Sequence, residues 1–467
     1  MSFSRILRSS ALMGGAQVIV LATAFLRSKV IALTVGVSGV GLVGVFSLFT
    51  SSIASVAGWG LGTAGVRVIA SAEDTYKADK ISAVRRLGVL LGVLGFLLAL
   101  ALFWPVGVMT FGSEEYMLEL AIVGLAVPCI IASSAWSAIL QASGSVKHLA
   151  KIQILGAIAG LLLGLPAIYY LDSVGIALSV LFAAAVTAAA LWWTASKISP
   201  PNGSTGADST SLRELINLGG ALVLIGWAGH FSAYIVRIII IRSAGLDAAG
   251  YYQAAFAISG SLPGFIFASM GADFFPRISA AKTTIEANEL VERQIQAGLL
   301  LGAPFIAALL TLGRPCLHFL YETSFDPALP LLSWMTWGIY FRLISWPLGF
   351  WLLARNSPKA VIAVECLGNG LSIILPLLLL PVFGIVGAAM AFFWGCFAYT
   401  VIIIATYRFK SGNWPAPRAA LWAVISAAVL LAAQAWSAGQ DSVYAGLVPV
   451  GLIGALCGWK CLKAIRP

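Results

Sequence analysis

Apolar residues fall in long runs, broken by short polar stretches, along the whole 467-residue chain. About 20 apolar residues in a helix cross the hydrocarbon of a bilayer. On that measure spans are expected near 11–34, 39–65, 87–110, 119–141, 152–171 and 175–196. A second set is expected near 215–241, 249–273, 294–317, 328–353, 360–381 and 385–406. A last pair is expected near 419–437 and 443–460. The pattern therefore predicts an all-α integral membrane protein of about 14 transmembrane helices. The first run follows Arg5 and Arg8, is long enough to cross, and is followed by no A-x-A-like site, so it is expected to stay as a span.

After six spans comes the polar stretch SPPNGSTGADSTS, 199–211, rich in Pro, Gly and Ser, which predicts a flexible linker. The expected division is an N-terminal six-helix bundle at 1–198, a linker at 199–212, a C-terminal six-helix bundle at 213–410, and an additional pair and tail at 411–467. The bundles repeat one another. A shift of 210 carries Arg27 to Arg237, Arg67 to Arg277 and Pro166 to Pro376, and a shift of 212 carries Lys147 to Lys359 and Gly156 to Gly368. Gly175 in DSVGIA is set against Gly384 in PVFGIVGA. A nearly constant offset across basic, Gly and Pro positions argues for duplication. Six spans per copy keep both copies in the same orientation, so the pseudo-two-fold axis runs along the membrane normal, as in many transporters.

Composition narrows the class further. Apolar residues make up 60% and charged residues 10%, against about 25% charged in soluble domains, so a soluble core is excluded. The net charge of +10 would suggest nucleic acid in a soluble chain, but the basic residues sit in loops where a membrane protein keeps them on its cytoplasmic side. One face collects Arg5, Arg8, Lys77, Lys80, Arg85, Arg86, Lys147, Lys151 and Lys197, and in the second half Arg293, Lys359 and Arg408. The other carries Glu114, Glu115, Glu119, Asp172, Asp247, Glu322, Asp326 and Asp441. Both termini are then cytoplasmic, with no nucleic-acid partner. Six scattered cysteines and three distant histidines point to no metal. No GxxxxGK[ST] run, catalytic triad or large polar domain is present, so the reading is a transporter rather than an enzyme, without a cofactor.

Charges inside the spans carry the functional expectation, because polar groups at that depth face a cavity or a partner. Arg27 and Lys29 lie in the first span, Arg237 and His230 in the seventh, and Arg342 in the tenth. Glu365 in the eleventh and Asp273 at the inner end of the eighth are the acids available to pair with them. In one reading each cation snorkels or closes an ion pair. In the other, Arg27, Lys29, Arg237 and Arg342 line a cationic cavity shared by the halves, suited to an anion because guanidinium grips phosphate oxygens with paired donors. Glu365, Asp273 and His230 then stand open as coupling groups or ion-pair partners. The loops 67–86 and 277–293 read either as short interfacial helices or as plain connections.

The run LRSKVIALTVGVSGVGLVGVFSLFTSSIASVAGWGLGTAGVRVIA, within Ser10–Ala72, resembles the opening of Wzx-type oligosaccharide flippases. Ala233–Ser279 is similar to the matching second-half signature, and Tyr321–Glu365 to the enterobacterial common antigen branch. The resemblance covers about 5–410. It implies membership of the multidrug, oligosaccharidyl-lipid and polysaccharide exporter (MOP) superfamily, with two bundles around a central cavity. It implies transfer of an undecaprenyl-diphosphate-linked oligosaccharide from the cytoplasmic to the periplasmic leaflet of the bacterial inner membrane. By position, Arg27, Arg237 and Arg342 would hold the diphosphate. Membrane lipids, a polysaccharide polymerase and a chain-length regulator are the implied partners. The last pair departs from the twelve-span pattern and matches the extra pair of lipid II flippases, an alternative within the superfamily. A multidrug or cation antiporter is a further alternative, disfavoured because no acid is expected deep in spans 1 to 6. A polymerase is disfavoured by short periplasmic loops, and a scaffold remains the non-transporting reading.

Overall fold

The computed structural model describes residues 3–73, 76–198, 209–355, 357–414, 417–438 and 443–465. They form helices α1 (Phe3–Thr34), α2 (Val37–Ala57), α3 (Leu61–Ala70), α4 (Lys77–Phe111), α5 (Met117–Gly124), α6 (Ala126–Ala142), α7 (Val146–Ile198) and α8 (Ser209–Ala280). The second part continues with α9 (Thr284–Thr311), α10 (Gly313–Leu320), a 3₁₀ turn (Thr323–Ala328), α11 (Leu329–Ala354), α12 (Pro358–Phe383), α13 (Ile385–Ser411), α14 (Pro417–Ala438) and α15 (Val443–Ile465).

Two of these rods are bent pairs. α7 breaks at Asp172 and α8 at Gly245, where the backbone leaves helical angles. Divided there, with α5 and α6 taken as one crossing and the short α3 and α10 left out, the described helices give fourteen candidate crossings, the number that the hydropathy pattern predicts. Their faces carry large exposed apolar side chains such as Leu90, Leu94 and Leu97 on α4, as expected for helices solvated by lipid. Among the described residues, the 67–86 stretch is divided between the end of α3 at Ala70 and the start of α4 at Lys77. The 277–293 stretch is likewise split between the end of α8 and the start of α9. The 199–208 part of the expected linker lies outside the described residues, and 209–212 begin α8.

Duplication is visible in matched packing. Gly156 on α7 faces Thr187, and Gly368 on α12 faces Tyr399, each so close that a Cβ would collide with the partner side chain. Both members of the first contact shift by 212 onto the second. Gly175 sits on the Ala167 carbonyl as Gly387 sits on the Leu379 carbonyl, again an offset of 212. This corrects the pairing of Gly175 with Gly384. The counterpart of Gly384 (φ 58) is Asp172 (φ 45), the bend of α7. The first copy has glycine only three residues past its bend, at Gly175, whereas the second has glycine at the bend, Gly384, and three residues past it, Gly387.

Contacts divide the chain into two compact units, Met1–Gly250 and Tyr251–Pro467. In the first, α1 and α6 lie along α7, and α4 packs on α6. Leu61, Val68, Val84, Trp136, Ile139, Ile152 and Leu191 make its core near the basic end. Within this unit the turns at Gly36 (φ 84) and Gly245 (φ 87) are related by an offset of 209. Positive φ there is cheap only for glycine. Just beyond them Gly41 meets the Leu246 carbonyl and Gly250 meets the Val37 carbonyl. The contact is reciprocal, as an approximate two-fold axis requires.

In the second unit α13 is sandwiched by α11 and α12, while α9 supports α11, α14 and α15. Tyr340, Leu343, Trp351, Tyr407, Ile295 and Leu299 build its core. The final pair is stitched on by polar contacts: Trp337 Nε1 donates to Gln434 Oε1 at 3.0 Å, and the Tyr340 hydroxyl donates to the Ala423 carbonyl.

Candidate functional site

Arg27 lies on α1, with apolar Phe25 and Leu26 before it and Val30 and Ile31 after it. Its Nε is buried with no hydrogen-bond partner, and among the described residues no carboxylate forms an ion pair with it. A guanidinium left so at bilayer depth is costly. Lys29, two residues along, is half-buried.

Arg237 is only 3% exposed. It sits one turn beyond Tyr234 on α8, and Tyr234 anchors this arm: its hydroxyl is 3.0 Å from Thr110 Oγ1 on α4, and its ring is 6.5 Å from Phe49 on α2. Arg237 therefore belongs to the first unit together with Arg27. Farther along, the Arg242 guanidinium lies over Gly112, where a Cβ would strike it. His230 is exposed, beside the stacked Trp227–Phe231 pair at 4.9 Å.

A cavity of about 490 Å³ opens between α2, α4 and this arm of α8, lined by Phe49, Ser52, Ile53, Val56, Leu98, Leu102, Val106, Trp227, Phe231 and Tyr234. It is almost wholly apolar, and none of the candidate cations lines it.

In the second unit three helices bring a polar group together. Glu365 on α12 accepts a hydrogen bond from the Tyr399 hydroxyl of α13 at 2.8 Å. Asn369 Nδ2 donates to the Glu365 carbonyl at 2.8 Å. Gly368 lets the Tyr399 ring lie against α12. Arg342 on α11 is exposed, and its charge acts on Tyr399 and Cys396. Thr400 Oγ1 donates to the Phe341 carbonyl at 3.1 Å and ties α13 beside it. Glu365 is thus held by a tyrosine, and among the described residues it closes no ion pair with Arg342. The Asp273 side chain lies outside the described residues, though its backbone falls in α8.

Sequence reasoning missed Glu119. Its place among the acids of one face suggests solvent, yet it is 5% exposed. Ser173 Oγ donates to its Oε1 at 2.6 Å. The available signal was helical spacing: Glu119 shares a stripe with Val123 and Ala126, both fully buried. Among the described residues, no group of three or more His, Cys, Asp or Glu is placed to hold a metal.

A multi-spanning helical chain with a repeated pattern of basic, Gly and Pro positions shares its fold with solved membrane transporters. The match to solved structures is to that class. The lipid II flippase MurJ in an inward closed conformation aligns with TM-score 0.74 at 16% identity, over 96% of this chain and 97% of that one. An inward-facing multidrug resistance MATE family transporter of the MOP superfamily aligns with TM-score 0.64 at 11% identity, over 86% and 98%. A MOP superfamily transporter from Pyrococcus furiosus, described by the reverse polarity of its binding pocket, aligns with TM-score 0.62 at 13% identity, over 86% and 95%. These likenesses show the fold. No curated protein matches the chain by sequence. Residues 6–282 match the polysaccharide biosynthesis protein family, and the chain belongs to that family.

Proposed function

We propose that this protein moves a diphosphate-linked oligosaccharide lipid of the undecaprenyl type from the cytoplasmic to the periplasmic leaflet of the bacterial inner membrane. It does so by alternating access, in the manner of Wzx-type flippases of O-antigen or enterobacterial common antigen assembly. The observation that carries the reading is Arg27: a guanidinium at span depth whose Nε has no acceptor, in a family tied to polysaccharide biosynthesis. Lys29 and Arg237 add positive charge within spans of the first unit, and Arg342 within a span of the second, where Tyr399 holds Glu365. Charge polarity decides cargo within a shared fold. The Pyrococcus furiosus transporter is described by a reversed pocket polarity, and here the cations within the spans favour an anionic cargo over the cationic drugs of a multidrug exporter. The basic loops put both termini in the cytoplasm. The repeat makes 1–198 and 213–410 the moving bundles, with 411–467 accessory. A polymerase and a chain-length regulator are the partners that this product would meet.

The test replaces Arg27 with Ala and with Lys in the full chain and measures surface glycan and lipid-linked intermediates in cells. Loss of an acceptor pair to a charged group is worth about 1.5–3 kcal/mol. Export should therefore fall by about tenfold or more in Arg27→Ala, with intermediates accumulating on the cytoplasmic side, and Arg27→Lys should recover part of it. Full export in Arg27→Ala refutes the cationic site.

One observation favours a second reading. The alignment with the lipid II flippase takes in 96% of this chain. Depletion separates the two: lysis with peptidoglycan loss supports a lipid II cargo, whereas intact cells lacking surface glycan support the oligosaccharide cargo.

A further inference from the structure

Three helices of the first unit leave a slot between them that their own side chains do not take up. Each borders it with one stripe at helical spacing: Ile53 and Val56 from α2, Leu102 and Val106 from α4, and Trp227 and Phe231 from the first arm of α8. The slot cannot simply collapse, because hydrogen bonds fix α8 at both of its ends. Trp59 Nε1 donates to the Ile216 carbonyl at 2.8 Å. At the other end the Tyr234 hydroxyl lies 3.0 Å from Thr110 Oγ1. Along the helix these two fixed points are about 27 Å apart. Protein interiors hold few voids larger than a water molecule. A cavity of about 490 Å³ braced in this way is therefore a built feature and not loose packing.

Its walls decide what it takes. Ser52, Trp227 and Tyr234 are the lining side chains that carry a polar atom. The Tyr234 hydroxyl is engaged by Thr110, and Ser52 Oγ is buried without a partner. A bound water needs about two to four polar partners and a hard metal ion needs more, so neither suits walls that are almost wholly apolar. A hydrocarbon chain does suit them, since it brings dispersion contacts to every wall atom and strands no polar group. The way in is from lipid: on α4 the stripe of Leu102 and Val106 runs beside the exposed Leu97 and Leu100, and on α8 Trp227 and Phe231 are exposed at their outer edges. Size selects among chains. At about 30 Å³ per water-sized group, the cavity holds on the order of 16 methylenes, the length of one phospholipid acyl chain. The tail of an undecaprenyl lipid would overrun it several-fold.

We propose that this cavity seats one acyl chain of a bilayer phospholipid. The chain enters from the lipid-facing side of α4 and lies along α2. It fills the space between the two hydrogen-bonded ends and completes the packing of the first arm of α8 on α2 and α4. The occupant belongs to the surrounding membrane and not to the cargo, so the site stands or falls separately from the transport reading.

The test places the purified full-length protein in vesicles of phosphatidylethanolamine and phosphatidylglycerol, with a trace of phosphatidylglycerol carrying a photoactivatable diazirine in its acyl chain. Adducts are mapped by peptide mass spectrometry. They are expected at Leu102 and Phe231, which line the cavity, and at Leu94 and Leu97, which face bulk lipid. Val56→Phe and Val106→Phe fill the cavity from two different helices. Each should lower the cavity adducts by about tenfold, since a close-packed space with an added ring has no room for a chain, while the bulk-lipid adducts stay at the wild-type level. In detergent freed of lipid, added phosphatidylglycerol should raise the apparent Tm of the wild type and raise that of the filled variants less. Cavity adducts that persist in both variants overturn the proposal, as does a wild-type Tm that phosphatidylglycerol leaves unchanged. Labelling of Leu102 and Phe231 by a diazirine-bearing undecaprenyl phosphate but not by the acyl probe overturns it too, because the seat then belongs to a polyprenyl chain.

Discussion

The reciprocal glycine contact gives a prediction whose size follows from atomic positions. A Cβ at Gly250 would lie 2.1 Å from the Val37 carbonyl oxygen, and one at Gly41 would lie 2.8 Å from the Leu246 carbonyl oxygen. Both obstacles are backbone atoms, which cannot rotate away, so α2 and the second arm of α8 must part. Overpacking of this kind costs about 1–3 kcal/mol, and close approach of small residues is a main source of attraction between helices in lipid. Gly250→Ala belongs at the upper end of that range and Gly41→Ala lower, because its overlap is smaller. Gly14→Ala is the control: nothing lies within 4 Å of its added methyl, and alanine in a helix gains about 0.5–1 kcal/mol over glycine. The measurement is the apparent Tm of the purified full-length protein in detergent, expected to rank Gly14→Ala at or above wild type, then Gly41→Ala, then Gly250→Ala. If the contact forms in only one state of the cycle, about 3 kcal/mol displaces the equilibrium by about 100-fold, at 1.4 kcal/mol per factor of ten, and export falls with it. A Gly250→Ala protein as stable as wild type would refute the reasoning.

Two further substitutions test particular contacts. Asp172→Gly relieves an aspartate at φ 45 and ψ −116, a sparsely populated conformation costing about 1–3 kcal/mol, so its apparent Tm should equal or exceed that of wild type, whereas Asp172→Val should lower it; a destabilised Asp172→Gly protein would show that the aspartate side chain, not the backbone, shapes the bend. Tyr399→Phe deletes the donor to Glu365 and strands a half-buried carboxylate, a loss of about 1.5–3 kcal/mol, read as a lower Tm that Glu365→Gln partly restores; an unchanged Tm means that the 2.8 Å contact carries no weight.

The spans were legible because one solvent, lipid, imposes one rule on every helix. A run such as LGVLLGVLGFLLALALFW has nowhere else to go. The bends were not. Asp172 reads as a polar loop residue, and Gly245 is one of 48 glycines; only a positive φ distinguishes either. The duplication was legible through Arg27 and Arg237 but mis-registered at Gly175, since glycine content is too high for any one match to fix an offset. Of the candidate site, the depth of the cations was readable, because charge stands out against apolar neighbours. Their partners were not, because Tyr399 lies 34 residues from Glu365 and reaches it only after α12 and α13 fold together. Glu119 escaped for a related reason: its neighbours in sequence are acids and suggest water, while its neighbours in space are Ser173 and the apolar stripe of α5.

Symmetry and its breaking divide the molecule into scaffold and chemistry. Where a neighbour comes too close for a Cβ, both copies keep glycine: Gly41 with Gly250 and Gly175 with Gly387 against backbone, and Gly156 with Gly368 against a side chain. Those positions answer to packing, which is the same in each copy. Polar groups between the spans diverge instead. An offset of 212 sets Gln153 against Glu365 and Thr187 against Tyr399. In the first copy the short threonine bonds its own helix at the Ala183 carbonyl, and Gln153 Oε1 is left without a partner; in the second, tyrosine reaches across to the acid. Glu119 and the strained Asp172 break the symmetry in the other direction. A duplicated scaffold that served packing alone would have no cause to keep an unsatisfied acid in one copy and a tyrosine-held acid in the other. The asymmetric residues are therefore where substitutions should alter transport more than stability, and the symmetric glycines are where the order should reverse.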